Sequence, residues 1–311
     1  MRELTELQRK CAALLPDMEL RFDEPMSNHT SFRIGGGAEI MAFPKTREEL
    51  ADILKVSTLL DCNCAILGAG TNVLAPDGGL PGVVICLKDC LDGLEQTAPN
   101  RIRVMAGVTM ARAAVFAANL GLSGLEFAHG IPGSVGGGVY MNAGAYGGTT
   151  GEVLESVRVY VPSKQGNRGS VVTLEARDLK MGYRKSRVHD DGLIVLSATF
   201  KLSPSSPAMV RSEMDDYRRR REEKQPLELP SAGSTFKRPE GYFAGKLIMD
   251  AGLRGARVGD AQVSEKHCGF VVNVGRASAK DVLGLIEHVQ DEVKSQFGVD
   301  LEPEVRMVGE F

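Results

Sequence analysis

The sequence predicts a fold of helices and strands packed in layers, α+β or α/β, rather than an all-β sandwich. Predicted strands alternate with predicted helices along the chain, which is the pattern of such layered folds. The 311 residues are enough for about two domains, each with its own hydrophobic core. The segment SPSSP at 203–207 marks a sharp change in composition and predicts a linker.

Helices are predicted where apolar residues recur at helical spacing or a capping residue precedes them: 3–15, 46–60, 109–120, 208–223 and 278–297. Thr46 with Glu49, and Ser278 with Asp281, have the spacing of capping boxes, and Gly121 suits a left-handed helix end. Strands are predicted at 65–67, 82–87, 101–106, 153–161, 170–174, 192–202, 270–274 and 304–308.

Charge and cysteine content exclude several classes of protein. The 37 Lys and Arg residues nearly balance 40 Asp and Glu residues, a net charge of −3, which argues against nucleic-acid binding by phosphate neutralisation. The start, MRELTELQRK, lacks the apolar core of a signal peptide, and no apolar run is long enough for a membrane span. The six cysteines lack the C-x2-C spacing of zinc sites, so we expect reduced thiols and no metal.

Glycine is in excess, with 36 residues, or about 12% of the chain against an average near 7%. Two clusters hold much of it: Gly68–Asn72 after a predicted strand, and Gly130–Gly138 followed by 141–148, which we also expect to follow a strand. Bare backbone N–H groups in such turns form a concavity suited to phosphate. Neither cluster matches the common phosphate-binding motifs, because GxxxxGK[ST] and a βαβ dinucleotide fingerprint are both missing. Two such loops together predict a cofactor that contains a pyrophosphate.

Eight segments, in this order, resemble one known family. They are NHTSFRIGG (28–36), GAGTNVL (68–74), GIPGSVGGGVYMNAGAYGG (130–148), MGYRKS (181–186), SAGSTFKRP (231–239), FAGKLIMDAGLRG (243–255), AQVSEKHCGFVVN (261–273) and LEPEVRMVGE (301–310). Any one could arise by chance, whereas their joint occurrence is specific. The chain is similar to the UDP-N-acetylenolpyruvoylglucosamine reductases over nearly its whole length. The short path from 231 to 273 resembles the second type of the family, which lacks a tyrosine-bearing loop.

The resemblance implies a particular α+β architecture. A two-subdomain FAD-binding unit of the vanillyl-alcohol-oxidase type precedes a smaller α+β substrate-binding domain. We expect the first FAD-binding subdomain at 1–88, the second at 89–204 and the substrate-binding domain at 205–311. FAD would be bound non-covalently, and NADPH would be the co-substrate that reduces it.

The resemblance also implies three catalytic residues. Ser234 would give a proton to C2 of an enolpyruvyl ether after hydride reaches C3, with Lys237 supplying the charge that activates its hydroxyl. Arg184 and Glu304 would stabilise the negative charge that grows on the carboxylate. From the residues alone, Ser234 is a turn serine, Arg184 one exposed arginine among several, and Glu304 a solvated carboxylate.

Cofactor and substrate contacts follow from the same segments. The residues expected to bind FAD are Gly68, Ala69, Gly70, Thr71, Asn72, Gly130, Ile131, Pro132, Gly133, Ser134, Gly136, Gly137, Asn142, Gly144 and Ala145. Those expected to bind substrate are Tyr183, Arg221, Lys237, Arg238, Lys246 and Gln262, with Asn273 and His267 as further candidates. The chain departs from the pattern of the family at four places. Arg238, Ser134 and Cys268 stand where asparagine, threonine and alanine are common, and an added polar stretch at 163–170 suggests a surface hairpin.

The expected partner is therefore a small molecule, UDP-N-acetylglucosamine enolpyruvate, handled by a cytoplasmic monomer without nucleic acid or membrane. Two alternatives stay open at this point. A different flavoenzyme of the same fold would often attach its flavin covalently and lack AGSTFK and PEVR. A non-catalytic nucleotide-sugar binding protein would need no proton donor, so it would not require Ser234, Arg184 and Glu304 together.

Overall fold

The computed structural model describes residues 3–88, 90–163 and 169–311. The chain divides by its contacts into two compact units, each built from three stretches. The first contains residues 1–21, 40–69 and 82–221, and the second contains residues 22–39, 70–81 and 222–311. Most of the polar stretch 163–170, which we interpret from sequence as a hairpin, lies outside the described residues.

The helices of the described residues are α1 Glu6–Leu14, α2 Arg47–Leu59, α3 Met110–Asn119, α4 Val135–Tyr140, α5 Thr150–Val153, α6 Arg187–Asp190, α7 Pro207–Lys224, α8 Ala244–Asp250 and α9 Ala279–Phe297. The five helices predicted from sequence are all present, with ends within three residues of expectation. Ser278 and Asp281 form the predicted capping box, and Gly121 has the predicted left-handed φ of +67°.

The strands are β1 Leu20–Pro25, β2 Gly37–Ala42, β3 Cys64–Leu67, β4 Val73–Leu74, β5 Leu80–Cys86, β6 Leu94–Ala98, β7 Arg101–Met105, β8 Leu122–Ser123, β9 Gly144–Ala145, β10 Gly148–Thr149, β11 Leu154–Val161, β12 Ser170–Glu175, β13 Ile194–Lys201, β14 Ser203–Pro204, β15 Arg257–Val258, β16 Ala261–Val263, β17 Val271–Asn273 and β18 Arg306–Met307. Two longer sheets have the orders β1–β2–β5–β3, in which β3 and β5 are parallel, and β12–β11–β13–β7–β6, whose pairs are antiparallel.

The second unit packs around helix α9 and the small antiparallel sheet β15–β16–β17. Val282, Leu285, Val289 and Val293 recur at helical spacing on one face of α9, and all four are fully buried in this core. The parallel pair β4–β18 joins Val73 to Arg306, so the chain just after the first glycine cluster pairs with the C-terminal segment. This pairing matters for the site, because both partners carry candidate residues.

Three local expectations are wrong. Glu49 does not complete a capping box, since its carboxylate accepts from the Lys45 N–H, one residue ahead of the cap. The segment 203–207 is tied down rather than open, because β14 pairs with β8 and the Ser205 N–H donates to the Gly121 carbonyl. The second glycine cluster follows a 3-10 turn at Glu126–Ala128 and continues into helix α4.

The N-terminus of α9 receives a side chain from far away in the sequence. The Asp77 carboxylate accepts from the N–H groups of Ala279 at 2.8 Å and Lys280 at 3.1 Å. These N–H groups have no partner within the helix, and the helix dipole favours an anion at this end. Asp77 therefore links the segment 70–81 to the helix that organises the second unit.

We expect the substitution Asp77→Ala to lower the free energy of unfolding by about 1 kcal/mol, because two N–H groups lose their acceptor. Urea unfolding with and without 1 M salt measures this, and the loss should shrink in salt because the interaction includes charge. Asp291→Ala is the matched control, since it removes an exposed carboxylate from the same helix. Equal effects of the two substitutions would contradict the capping role.

Candidate functional site

The two glycine clusters meet in the first unit. Strand β3 ends at Leu67, and the chain then turns at Gly68 beside Ser134 of the second cluster. A Cβ atom on Gly68 would lie 2.9 Å from the Ser134 hydroxyl oxygen, which is too close for an unstrained contact. The absence of a side chain at position 68 therefore allows this turn to approach the Ser134 side chain, as the sequence predicts for two loops around one ligand.

Backbone N–H groups are available where the clusters meet. Ser134 caps α4 through a 3.4 Å bond from the Gly137 N–H to its hydroxyl. Gly68, Ala69 and Ser134 lie outside the helices and strands. Within the described residues, their N–H groups donate to no backbone carbonyl. Donors of this kind bind a pyrophosphate through its oxygens. The residues present therefore fit an FAD pyrophosphate.

The rest of the first cluster lies in the second unit and reaches Glu304. Gly70 has a φ of +64°, and a Cβ there would lie 1.9 Å from the His29 carbonyl oxygen, so no other residue fits. The Asn72 side-chain amide donates to the Glu304 carbonyl at 3.1 Å, and the Asn72 carbonyl accepts from the Arg306 N–H. Asn72 thereby connects the predicted cofactor loop to a predicted catalytic residue.

Arg184 lies at the tip of a tight turn in the first unit. Gly182 and Lys185 pair through two backbone hydrogen bonds, which leaves Tyr183 and Arg184 as the two residues of the loop. Arg184 has a φ of +55°, an uncommon conformation for a residue with a side chain and one that recurs at functional sites. Ser186, directly after the turn, is fully buried and donates its hydroxyl to the Tyr140 carbonyl at 2.7 Å.

Asn142 attaches this turn to the second glycine cluster. Its amide nitrogen donates to the Gly182 carbonyl at 2.9 Å, and its amide oxygen accepts from the Gly151 N–H at 2.9 Å. The Arg184 guanidinium lies 3.5 Å from the Gly144 carbonyl oxygen. The cluster that is predicted to hold the cofactor therefore also positions Arg184.

Thr235 brings the Ser234 loop and Glu304 together in the second unit. Thr235 is fully buried; its N–H donates to the Gly269 carbonyl, and its carbonyl accepts from the Glu304 N–H, both at 2.8 Å. Its hydroxyl accepts from the Val271 N–H at 2.8 Å. These bonds set residue 304 beside the residue that follows Ser234.

The predicted substrate residues of the second unit each have a neighbour. Their contacts are the Lys237–Glu302 ion pair, Arg238 over the Phe243 ring, the Lys246–Asp250 ion pair and the Gln262 amide on the Gly255 carbonyl. The Glu302 carboxylate offsets part of the Lys237 charge that we expect to act on Ser234. Asn273 is buried and donates to the Phe32 carbonyl at 3.1 Å, which is a structural role.

Arg221 differs from the three arginines before it. Arg218, Arg219 and Arg220 pair with Asp215 or Asp216 along the exposed face of α7. Arg221 is partly buried, its side chain lies beside Gly130, and burial lowers the pKa of its guanidinium. Within the described residues it has no carboxylate partner. A cation of this kind beside the second glycine cluster suits an anionic ligand.

Sequence reasoning missed the residues that hold the candidates in place. Thr235, Ser186 and Ser31, whose hydroxyl donates to the Ser231 carbonyl at 2.6 Å, act through backbone groups. Their types are common in turns and caps, so only their place inside the segments 28–36, 181–186 and 231–239 could have indicated them. In the described part of the chain there is no cluster of metal ligands, and all six cysteines are free thiols.

We expect Thr235→Val to lower the free energy of unfolding by about 2 kcal/mol, because the buried Val271 N–H loses its acceptor. Thr235→Ser keeps the hydroxyl and removes one methyl group, so its cost should be about 1 kcal/mol. Urea unfolding of both variants measures the difference. A valine variant as stable as the serine variant would show that the hydroxyl is unimportant.

His267 makes stability depend on pH. Its Nδ1 accepts from the Gly269 N–H at 3.1 Å, which requires the unprotonated ring nitrogen, and burial lowers the pKa of His267. The unfolded chain, with a histidine pKa near 6.5, therefore binds the proton more strongly. The stability due to His267 is complete above about pH 6.5 and decreases as the pH falls toward the lower pKa of the folded protein.

The matched variant is His267→Asn, which keeps an acceptor for the Gly269 N–H but has no proton to gain. We expect the free energy of unfolding to decrease less between pH 7.5 and pH 5 in this variant than in the unmodified protein. Urea unfolding at the two pH values measures both slopes. Equal slopes would mean that His267 does not titrate in this range.

Comparison with known proteins agrees with this geometry. Residues 38–167 match the family described as FAD binding domain, and residues 225–308 match the family described as UDP-N-acetylenolpyruvoylglucosamine reductase, C-terminal domain. The expected FAD-binding unit followed by a substrate-binding domain is thereby confirmed, and so is FAD as the cofactor. No helix in the described residues is both long and apolar enough to cross a membrane.

Relatives extend the match over the whole chain. The chain is 51% identical to a UDP-N-acetylenolpyruvoylglucosamine reductase of Agathobacter rectalis, over 96% of both chains, and 44% identical to that of Clostridium kluyveri, over 100% of both. The crystal structure of the Thermus caldophilus reductase superposes with a TM-score of 0.75 at 34% identity, over 93% of this chain and 98% of that one. The chain belongs to the UDP-N-acetylenolpyruvoylglucosamine reductase family.

Proposed function

We propose that this protein reduces the enolpyruvyl ether of UDP-N-acetylglucosamine enolpyruvate to UDP-N-acetylmuramate, a step of peptidoglycan precursor synthesis, with NADPH as the hydride source. The observation that carries the proposal is the arrangement around Thr235, which sets Glu304 beside the Ser234 loop while Asn72 binds the Glu304 carbonyl. A protein that only bound a nucleotide sugar would not need the backbones of a serine loop and a glutamate held together in this way.

The reaction sets clear requirements for the residues. FAD held by the glycine loops would supply to C3 of the enol ether the hydride that NADPH provides. Negative charge then develops at C2 and on the carboxylate conjugated with it, and a proton must reach C2. The protein therefore has to bind the carboxylate, stabilise its growing charge and present one acidic hydrogen.

We assign the cofactor to the residues predicted from sequence. The Gly68, Ala69 and Ser134 N–H groups would bind the pyrophosphate, because Gly68 lies beside Ser134 and these groups donate to no backbone carbonyl in the described residues. Arg221, beside Gly130, would supply a positive charge to the same anionic group or to the substrate. The remaining glycines of 130–148 would allow the backbone to pack close to the cofactor.

Ser234 is the proposed proton donor to C2. Within the described residues its hydroxyl makes no hydrogen bond, so it is available to a ligand. A serine hydroxyl is a weak acid in water, and cations beside it would offset the charge that forms on its oxygen. Lys237, three residues further along the chain, stays the candidate for that charge, with Glu302 setting where its ammonium group lies.

Arg184 and Glu304 are proposed to act on the enolpyruvyl carboxylate. The guanidinium keeps its charge at any working pH and has a planar edge that matches a carboxylate. The tight turn at 182–185 presents it on a rigid support, since Ser186 and Asn142 bind the turn on both sides. Glu304, as a protonated group or one sharing a proton, would stabilise the enolate.

Other features of the expectation also remain proposals. Tyr183, Arg238, Lys246 and Gln262 are assigned to the uridine diphosphate or the sugar. The division at residues 88 and 204 describes the proposed roles of the chain rather than its two contact units. We propose a cytoplasmic monomer, because its reactants, a nucleotide sugar and a reduced nicotinamide nucleotide, are both small soluble molecules.

Anaerobic spectroscopy tests the activity directly. The purified protein should be yellow, should bleach with NADPH and should regain its colour with UDP-N-acetylglucosamine enolpyruvate. Colourless protein that cannot be reconstituted with FAD would rule out the proposal. If the reduced protein regains its colour with a ketone, the oxidised form of a simple alcohol, but not with the enol ether, it is a different flavoenzyme.

We expect Ser234→Ala to slow reoxidation by substrate about 10²- to 10⁴-fold, the usual contribution of a general acid, and to leave bleaching by NADPH within twofold. Stopped-flow absorbance measures both half-reactions. The matched control is Ser231→Ala, which removes the other hydroxyl of SAGS and should leave both rates within a few-fold. If both half-reactions slowed equally in Ser234→Ala, Ser234 would be a folding or cofactor residue instead.

A further inference from the structure

Two tyrosine rings stack beside the predicted cofactor loop, and nothing in the proposed reaction requires the second of them. Tyr146 of the first unit lies between strands β9 and β10, and Tyr217 lies on helix α7. Their ring centroids are 4.6 Å apart and their planes are within 6° of parallel. This is a stacked contact between two segments more than 70 residues apart in the sequence.

Tyr146 makes this contact from an unfavourable backbone conformation. The hairpin pairs Ala145 with Gly148, so Tyr146 and Gly147 are its two turn residues. Their φ values are +53° and +90°, which is the pattern of a type I′ turn. Asn or Gly is favoured at the first of these positions, and a tyrosine is strained there. Strain of this kind indicates that the side chain is needed for something else.

The side chain of Tyr217 is fixed in turn by its own helix. Its hydroxyl donates to the Glu213 carboxylate one turn earlier, at 2.5 Å. This bond and burial raise the pKa of Tyr217 to about 12, so the ring is neutral at any physiological pH. Arg221, one turn later on α7, lies against Gly130 at the other end of the same glycine cluster. One face of α7 thus contacts both ends of the cluster.

The hairpin that carries Tyr146 also supports Arg184. Strand β9 begins at Gly144, whose carbonyl oxygen lies 3.5 Å from the Arg184 guanidinium. The base of the hairpin is tied by Thr150, whose N–H and hydroxyl both donate to the Ala143 carbonyl. Among the ring contacts of the described residues, only the stack with Tyr217 holds the tip at Tyr146 and Gly147.

We propose that Tyr217 is a positioning residue: its ring holds Tyr146 in the strained turn and so fixes the hairpin whose Gly144 carbonyl orients Arg184. The inference rests on the proposed role of Arg184 at the substrate carboxylate. Without the stack, the turn relaxes, the Gly144 carbonyl moves and the guanidinium, which also lies 5.1 Å from the centre of the Tyr183 ring, loses one of the groups that orient it. The flavin reduction step does not use the carboxylate, so it is unaffected.

The experiment compares variants of the FAD-loaded protein in the two half-reactions. Tyr217→Ala should slow flavin reoxidation by UDP-N-acetylglucosamine enolpyruvate about tenfold, with reduction by NADPH and FAD content unchanged. Tyr217→Phe keeps the ring and should stay within twofold of the unmodified protein. Tyr217→Leu keeps apolar bulk without a planar ring, so it should slow reoxidation as Tyr217→Ala does. The leucine variant replaces the alanine variant in the test if Tyr217→Ala folds poorly.

Coupling tests whether Tyr217 acts through Tyr146. The double variant Tyr146→Ala/Tyr217→Ala should reoxidise no more slowly than Tyr146→Ala alone. Amide hydrogen exchange at residues 146–148 should accelerate in Tyr217→Ala and not in Tyr217→Phe, which reports on the turn without any substrate. Additive effects, unchanged exchange, a phenylalanine variant as slow as alanine, or loss of FAD would each overturn the proposal.

The two proposals fail in different ways. If the unmodified, reduced protein is not reoxidised by the enol ether, the proposed function is wrong, and the exchange measurement still decides whether the stack holds the turn. If the unmodified protein is reoxidised normally and Tyr217→Ala is too, the proposed function stands and the positioning role is wrong.

Discussion

The second unit depends on the buried hydroxyl and backbone of Thr235. Two segments distant in sequence, one at residues 269–271 and one at residue 304, bond to this one residue. A buried polar group without a partner is costly, so each of these bonds constrains the position of the segment it holds. Glu304, whose N–H donates to the Thr235 carbonyl, is brought near the Ser234 loop as a result.

A second constraint operates in the first unit, where missing side chains rather than added ones determine the geometry. Gly68 allows the strand end to approach Ser134, so backbone N–H groups of both clusters lie in one region of this unit. The two glycine clusters contain no charged residue, and Arg221 lies beside Gly130 as a nearby cation. The selectivity of such a site for an extended cofactor depends on shape and on the spacing of donors, which is why two separate clusters are required.

The sequence predicted the regular parts of the fold well, because helix periodicity and capping are local properties. The capping box at Ser278 and the left-handed Gly121 are examples. It did not predict β1 or β2, whose residues mix charged and apolar types and depend on neighbours in the sheet. The prediction of a linker at 203–207 was wrong for the same reason, since the pairing of this segment with β8 is a long-range contact.

For the site, motif resemblance predicts the residues with chemical groups and does not single out those that hold them. Ser234, Arg184 and Glu304 stand out by their context, whereas Thr235, Ser186 and Tyr217 have types that are ordinary in cores, caps and helices. Their importance lies in which backbone or ring they contact across the chain. Such contacts have no signature in one sequence, because many alternative residues would look equally suitable.

The bond from Asp77 to the start of α9 has a consequence for how the protein is made. The second unit is assembled from residues 22–39, 70–81 and 222–311, so its early pieces leave the ribosome long before their partners exist. After Asp77, about 200 more residues have to be translated before the helix that it caps emerges. Until then the segment that follows the first glycine cluster has no core to join, and this nascent stage is where chaperones would be most needed.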